Sequence, residues 1–129
     1  AVTGGKRIDR DGYFFEATVF DNVKHDMTIA QEEIFGPVLS VLTYEDEAEA
    51  VHIANDTAYG LAAGVFTKDI DQATNTVNQL QAGQVYVNSW FTGSIATPFG
   101  GYKQSGYSRE KGQEAIKGYL QVKNVGIQL

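Results

Sequence analysis

The sequence predicts an α/β fold, a parallel sheet with crossover helices on its faces, and three observations carry that reading. Short runs of β-branched, aromatic and small apolar residues recur at residues 13–20, 38–42, 62–67 and 84–88, each suited to a pleated sheet. Between them lie segments with helix-start spacing followed by apolar residues at helical period. Strands separated by whole helices are not hairpin partners; they pair in parallel through right-handed crossovers. A length of 129 residues with 43% apolar side chains fits one domain around one core.

Residues 1–12 hold three glycines and no periodicity, so they read as a loop or a cut edge. Residues 13–20 form the first expected strand, closed by Asp21-Asn22. Thr28 and Gln31 stand at capping-box spacing, and Gly36-Pro37 stops any helix soon after, which predicts a short helix over 28–33. The run 38–42 has the pattern of a strand covered on both faces. Asp46 and Glu49 repeat the capping spacing ahead of Ala50, Ile53 and Ala54, predicting a helix over 45–54. After the strand at 62–67, Asp69 and Gln72 cap a helix whose Ile70, Ala73, Val77 and Leu80 share one face. Gly83 suits that helix's C-terminus, and 84–88 is the next strand. Residues 89–107 carry five glycines and prolines among aromatics, the mark of a long ligand-facing loop at a strand end. A last helix with Gly112, Ala115, Ile116, Tyr119 and Leu120 on one side precedes a final strand at 122–129.

Composition excludes several classes of function. Ten Lys plus Arg against sixteen Asp plus Glu give a net charge of −6, with no basic stripe, so neither nucleic acid nor an anionic membrane is an expected partner. No apolar run approaches the ~20 residues of a membrane helix and no signal-like h-region opens the chain, so the expected location is cytoplasmic. Zero cysteines exclude disulfides, thiolate metal sites and a Cys nucleophile within these residues.

The familiar local signatures of dinucleotide loops, P-loops, zincins and nucleophile elbows are missing. His25 and His52 are the two histidines, and neither has a Cys or a second His at ligand spacing, so no metal site is expected. Glu45, Asp46, Glu47 and Glu49 read as a helix first turn, where the macrodipole favours acids, rather than as a cation cluster. Asn55-Asp56-Thr57 matches a glycosylation sequon that, without a signal peptide, has no consequence.

Glu32-Glu33-Ile34-Phe35-Gly36-Pro37-Val38 places a carboxylate and an aromatic two residues apart, ahead of a Gly-Pro that fixes the backbone direction. Such a pair can grip a ribose: the carboxylate accepts from two vicinal hydroxyls while the ring packs on the neighbouring heterocycle. The alternative, and the more ordinary arrangement on physical grounds, has Glu33 solvated and Phe35 in the core.

That heptad, together with the run from Asn55-Asp56-Thr57-Ala58-Tyr59-Gly60-Leu61 through Lys68-Asp69, Gly83-Gln84-Val85-Tyr86-Val87-Asn88 and Pro98-Phe99-Gly100-Gly101-Tyr102-Lys103-Gln104-Ser105-Gly106, resembles the C-terminal region of the NAD(P)-dependent aldehyde dehydrogenases. Four motifs stand in the family's order, covering about residues 13–126. The resemblance implies a part of the catalytic domain over 1–121 and an oligomerisation strand over 122–129, in a homo-oligomer. It also implies an enzyme in which a Cys thiolate attacks an aldehyde, hydride passes to the nicotinamide of NAD or NADP, and water hydrolyses the thioester. By the same resemblance Glu33 matches the Glu on the nicotinamide ribose and Phe35 the aromatic beside it. Asn88 ends the strand that leads into the substrate loop, where Trp90, Phe91, Gly93 and Phe99 match positions lining the aldehyde tunnel; ordinary loop packing is their alternative. Glu110 matches a Glu behind the active site, a proton relay or a structural residue, the structural role being the expected one.

The family's nucleophilic Cys and cofactor-binding domain precede this segment, so the expectation is a C-terminal part of a longer enzyme, inactive alone. Ser108 stands where the family more often has Gly before Arg-Glu, a difference that matters if the turn has positive φ. A reading of a different class makes the chain a non-catalytic assembly module that pairs through exposed sheet edges.

Overall fold

The computed structural model describes residues 1–129, which divide into two compact units, Ala1–Thr57 and Ala58–Leu129. The single core expected from length is therefore replaced by two small ones, because each strand-helix-strand segment closes on its own strand pair.

In the first unit, β1 (Thr18–Phe20) and β2 (Val38–Ser40) pair in parallel with Thr18 opposite Val38, joined by the crossover that contains α1 (Thr28–Gln31). This is the predicted parallel, crossover-linked arrangement, with shorter elements. β1 covers only the end of the expected 13–20 run, because the chain ahead of it is engaged otherwise. Residues 1–12 are not a free loop. Thr3 bridges Val19 and Arg7 bridges Phe15, both antiparallel, so this arm lies along β1. Gly4 makes that approach possible: at φ 69° it sits where a Cβ would fall 2.3 Å from the Ala17 carbonyl oxygen.

Thr28 does not cap α1; Met27 is the N-cap without a side-chain bond, and Thr28 is already helical. Leu39 is 58% exposed, so β2 is not covered on both faces here. α2 (Glu47–Asn55) starts as its acids predicted: Asp46 accepts from the Glu49 amide at 2.9 Å, and the Glu49 carboxylate accepts from the Glu45 amide. Its buried residue is Val51, whereas the expected Ala54 is exposed. Val23 and Val51 form the apolar core of this unit, beside buried Thr18, whose hydroxyl donates to the Glu16 carbonyl and accepts from the Gly5 amide.

In the second unit, β4 (Ala62–Val65) and β5 (Gln84–Val87) pair in parallel across α3 (Ile70–Gln79), and β3 (Tyr59–Gly60) pairs antiparallel with β6 (Tyr102–Lys103). Asp69 caps α3 by accepting from the amides of Asp71 and Gln72. Gln72 does not complete the box; its side chain accepts instead from the Thr67 hydroxyl. Ala73, 2% exposed, and Tyr86, 7% exposed, make the core, while Ile70, at the outer end of the predicted face, is exposed.

Gly83 has no C-capping role, since α3 ends at Leu80. It is a close-approach residue: a Cβ there would lie 1.8 Å from the Gly100 carbonyl oxygen. The last helix shortens to α4 (Glu114–Lys117), leaving Ile116, Tyr119 and Leu120 exposed. Residues 121–129 form neither helix nor strand within the chain, and Val122 and Leu129 are fully exposed. The strand expected over 122–129 has no partner inside one chain with which to pair. No helix is long and apolar enough to cross a membrane.

Candidate functional site

The Glu33 to Phe35 stretch is held from both sides. α1 ends when the Glu32 amide donates to the Thr28 carbonyl, and Pro37 is anchored by its carbonyl, which accepts from the amide of buried Thr18. Between these anchors Glu33 is exposed, and Phe35 adopts φ 55° with its ring 91% exposed. The core reading of Phe35 therefore fails. A bulky residue in the left-handed region without burial carries backbone strain and gains nothing from packing. Strain retained in this way is a mark of a site where the side chain is used. An exposed carboxylate and an exposed aromatic two residues apart can supply an acceptor for hydroxyls and a face for a heterocycle, the two needs of a ribosyl ligand.

In the second unit the structure gathers the aromatics of the long loop. At the end of β5, the Asn88 amide donates to the Val65 carbonyl, and its carboxamide both accepts from the Thr67 amide (2.9 Å) and donates to the Thr67 carbonyl (2.8 Å). With φ 53°, Asn88 then turns the chain out of the sheet. After Ser89, Trp90 and Phe91 fold back on Tyr86, with ring centroids 5.8 and 6.1 Å away. Phe99 joins edge-on to Phe91 at 6.2 Å. Gly93 lies on the same side, where a Cβ would be 3.9 Å from the Tyr86 hydroxyl.

Glu110 is exposed, and its main-chain amide and carbonyl exchange two 2.7 Å hydrogen bonds with Phe99. Next to it the Lys111 ammonium stands 5.2 Å from the Phe99 centroid and 5.8 Å from that of Phe91. Trp90 and Phe91 remain 63% and 57% exposed, so the cluster presents an apolar wall with one cation at its rim. Such a wall suits the hydrocarbon portion of a small substrate. Positive φ in this region falls on Lys103, Gly106, Lys111 and Gly112 and not on Ser108, so a serine is accommodated there.

Sequence reasoning missed a third feature. His25, His52 and Asp56, all in the first unit, bring one ligand atom each to within 4.8 Å of one another. The 26 residues between the histidines hid it, although the four-residue step from His52 to Asp56 at the end of α2 was a readable signal.

The model of the aldehyde dehydrogenase family matches residues 1–125. The chain is 52% identical over 124 residues to aldehyde dehydrogenase 1 of Tanacetum cinerariifolium, covering 96% of this chain and 25% of that protein. It is 48% identical over 120 residues to bovine 4-trimethylaminobutyraldehyde dehydrogenase, covering 93% of this chain and 24% of the relative. Among solved structures, a mutant of the P. syringae indole-3-acetaldehyde dehydrogenase in complex with NAD+ and IAA superposes with a TM-score of 0.91 at 50% identity, over 99% of this chain and 26% of that one. A Staphylococcus aureus betaine aldehyde dehydrogenase in complex with NAD+ gives 0.88 at 48% identity, over 95% of this chain and 26% of the other. The chain thus spans about a quarter of the length of its relatives. Sustained identity near one half, over nearly every residue from the N-terminal arm to the aromatic wall, means that this chain belongs to the aldehyde dehydrogenase family.

Proposed function

We propose that the chain works as the C-terminal part of an enzyme that oxidises an aldehyde to a carboxylic acid with NAD or NADP, to which it contributes a nicotinamide-ribose contact and one wall of the substrate passage. The observation that carries this reading is the Glu33–Phe35 pair, an exposed carboxylate two residues before an exposed aromatic residue at φ 55°. Glu33 holds the ribose hydroxyls as acceptor and Phe35 limits the tilt of the adjacent ring. The nicotinamide, when bound, supplies the hydride acceptor. NAD+ in two solved relatives supports a nicotinamide dinucleotide as the cofactor.

Trp90, Phe91, Gly93 and Phe99 line the path of the aldehyde and exclude water from it, while Glu110 keeps Phe99 in place through its main chain. Each unit buries only two apolar side chains, Val23 and Val51 in one and Ala73 and Tyr86 in the other, which supports a chain that works packed against further protein. With zero Cys the chain lacks the thiolate that thioester chemistry needs and is inactive by itself. The segment 122–129, apolar and without a strand partner, is where a second copy adds to a sheet in a homo-oligomer.

The test is Glu33→Gln in the complete enzyme. A charged acceptor contributes about 1.5–3 kcal/mol, so hydride transfer slows roughly ten- to a hundredfold while overall cofactor affinity changes less. Pre-steady-state kinetics separate the two, and a hydride step equal to that of the wild type overturns the assignment.

A further inference from the structure

We propose that His25, His52 and Asp56 form a binding site for a divalent first-row transition-metal ion, separate from the residues assigned to cofactor and aldehyde. Asp56 is the C-cap of α2, its amide donating to the His52 carbonyl at 2.9 Å, so the two side chains lie one turn apart on one face. His25 reaches them from the turn after β1. Its main chain is pinned because its carbonyl accepts from the Gln31 carboxamide at 2.8 Å, and buried Val23, two residues before it, donates to the Val41 carbonyl at 3.2 Å.

The His25 Nε2 meets a carboxylate oxygen of Asp56 directly, and the two imidazole centroids are 5.8 Å apart with planes tilted by 36°. The three ligand atoms lie within 4.8 Å of one another. A tetrahedral ion with ligand bonds of about 2.0–2.1 Å requires separations of about 3.3 Å, within reach of small side-chain rotations. His25 is half-buried while His52 and Asp56 are exposed, so water can reach the site and complete the coordination.

Two imidazoles with one carboxylate select Zn2+, Ni2+ or Cu2+ over Mg2+ and Ca2+, which take sets of oxygen ligands. The position helps, since the ion sits at the carbonyl end of a nine-residue helix, where positive charge is favoured. An ion at this place ties the turn after β1 to the end of α2, two segments otherwise remote in sequence.

The test is titration of the full chain with Zn2+, followed by calorimetry and by the ring resonances of its two histidines. The expected result is one Zn2+ per chain, both rings shifting together, and affinity falling about tenfold or more in each of His52→Gln and Asp56→Asn. Far-UV circular dichroism of the variants checks that they fold, and the wild-type ring shifts test the site without any substitution. Absence of uptake up to millimolar Zn2+, movement of one ring alone, or unchanged affinity in both variants overturns the proposal.

Discussion

Asn88 grips the main chain of Thr67 at both its amide and its carbonyl, so a side chain supplies one more rung where the β4–β5 ladder ends. Replacing Asn88 by Ala removes both bonds and leaves a Cβ-bearing residue without local support at φ 53°. The expected loss is about 1–2 kcal/mol in the denaturant unfolding of the chain. Asn88→Gly relieves the backbone but not the lost bonds, so it falls between the two. Equal stability of all three proteins would remove the rung from the account.

Gly83 and Gly126 offer a contrast within one residue type. A Cβ at Gly83 runs into the Gly100 carbonyl, main chain against main chain, whereas a Cβ at Gly126 meets nothing within 4 Å. Gly83→Ala is expected to cost about 3 kcal/mol or more, and Gly126→Ala to stay within about 0.5 kcal/mol of the parent. Urea midpoints of the two variants measure the difference.

Phe35→Gly separates stability from function. The ring buries almost nothing, and release of a left-handed phenylalanine returns about 1–2 kcal/mol, offset by the flexibility glycine adds to the unfolded chain. The chain should lose no stability and gain up to about 1 kcal/mol, while the complete enzyme bearing the change transfers hydride more slowly. A destabilised chain would show that the ring serves folding.

Purified chain, incubated with NAD or NADP and a panel of aldehydes, should give no rise in absorbance of reduced cofactor, because no thiolate is present. Sustained turnover, free of contaminating enzyme, would overturn that expectation.

Light scattering of the chain against a version ending at Gln121 addresses residues 122–129. Val122, Val125, Ile127 and Leu129 are all exposed and unpaired in one copy, and self-association that depends on them is the expected outcome. A monomeric full chain excludes self-association, and an oligomer unchanged by truncation excludes this strand as its cause.

The sequence made the parallel pairs legible because their signals are local. Asp46 and Asp69 cap helices where their spacing says, and the runs of β-branched, aromatic and small apolar residues fall where β2, β4 and β5 form. Thr28 misled because the helix begins one residue earlier than its hydroxyl could serve. The pairing of residues 1–12 was hidden because antiparallel bridges are long-range and leave no period in a glycine-rich segment. Of the site, Glu33 and Phe35 were visible through their motif, yet only the structure shows that Phe35 is bare. The convergence of His25 with His52 and Asp56 depends on where a turn meets a helix end, which no spacing rule records.

Tyr86 belongs at once to the second unit's core and to the aromatic wall, being 7% exposed while its ring carries Trp90 on one side and Phe91 on another. If the wall recognises substrate as proposed, recognition surface and scaffold share an atom-level boundary. Resculpting the wall then brings a folding problem with it: a smaller residue at Trp90 uncovers a core side chain, and a changed Tyr86 shifts two wall positions together. Libraries that vary 86, 90 and 91 jointly should yield folded, altered proteins more often than those that vary each position alone.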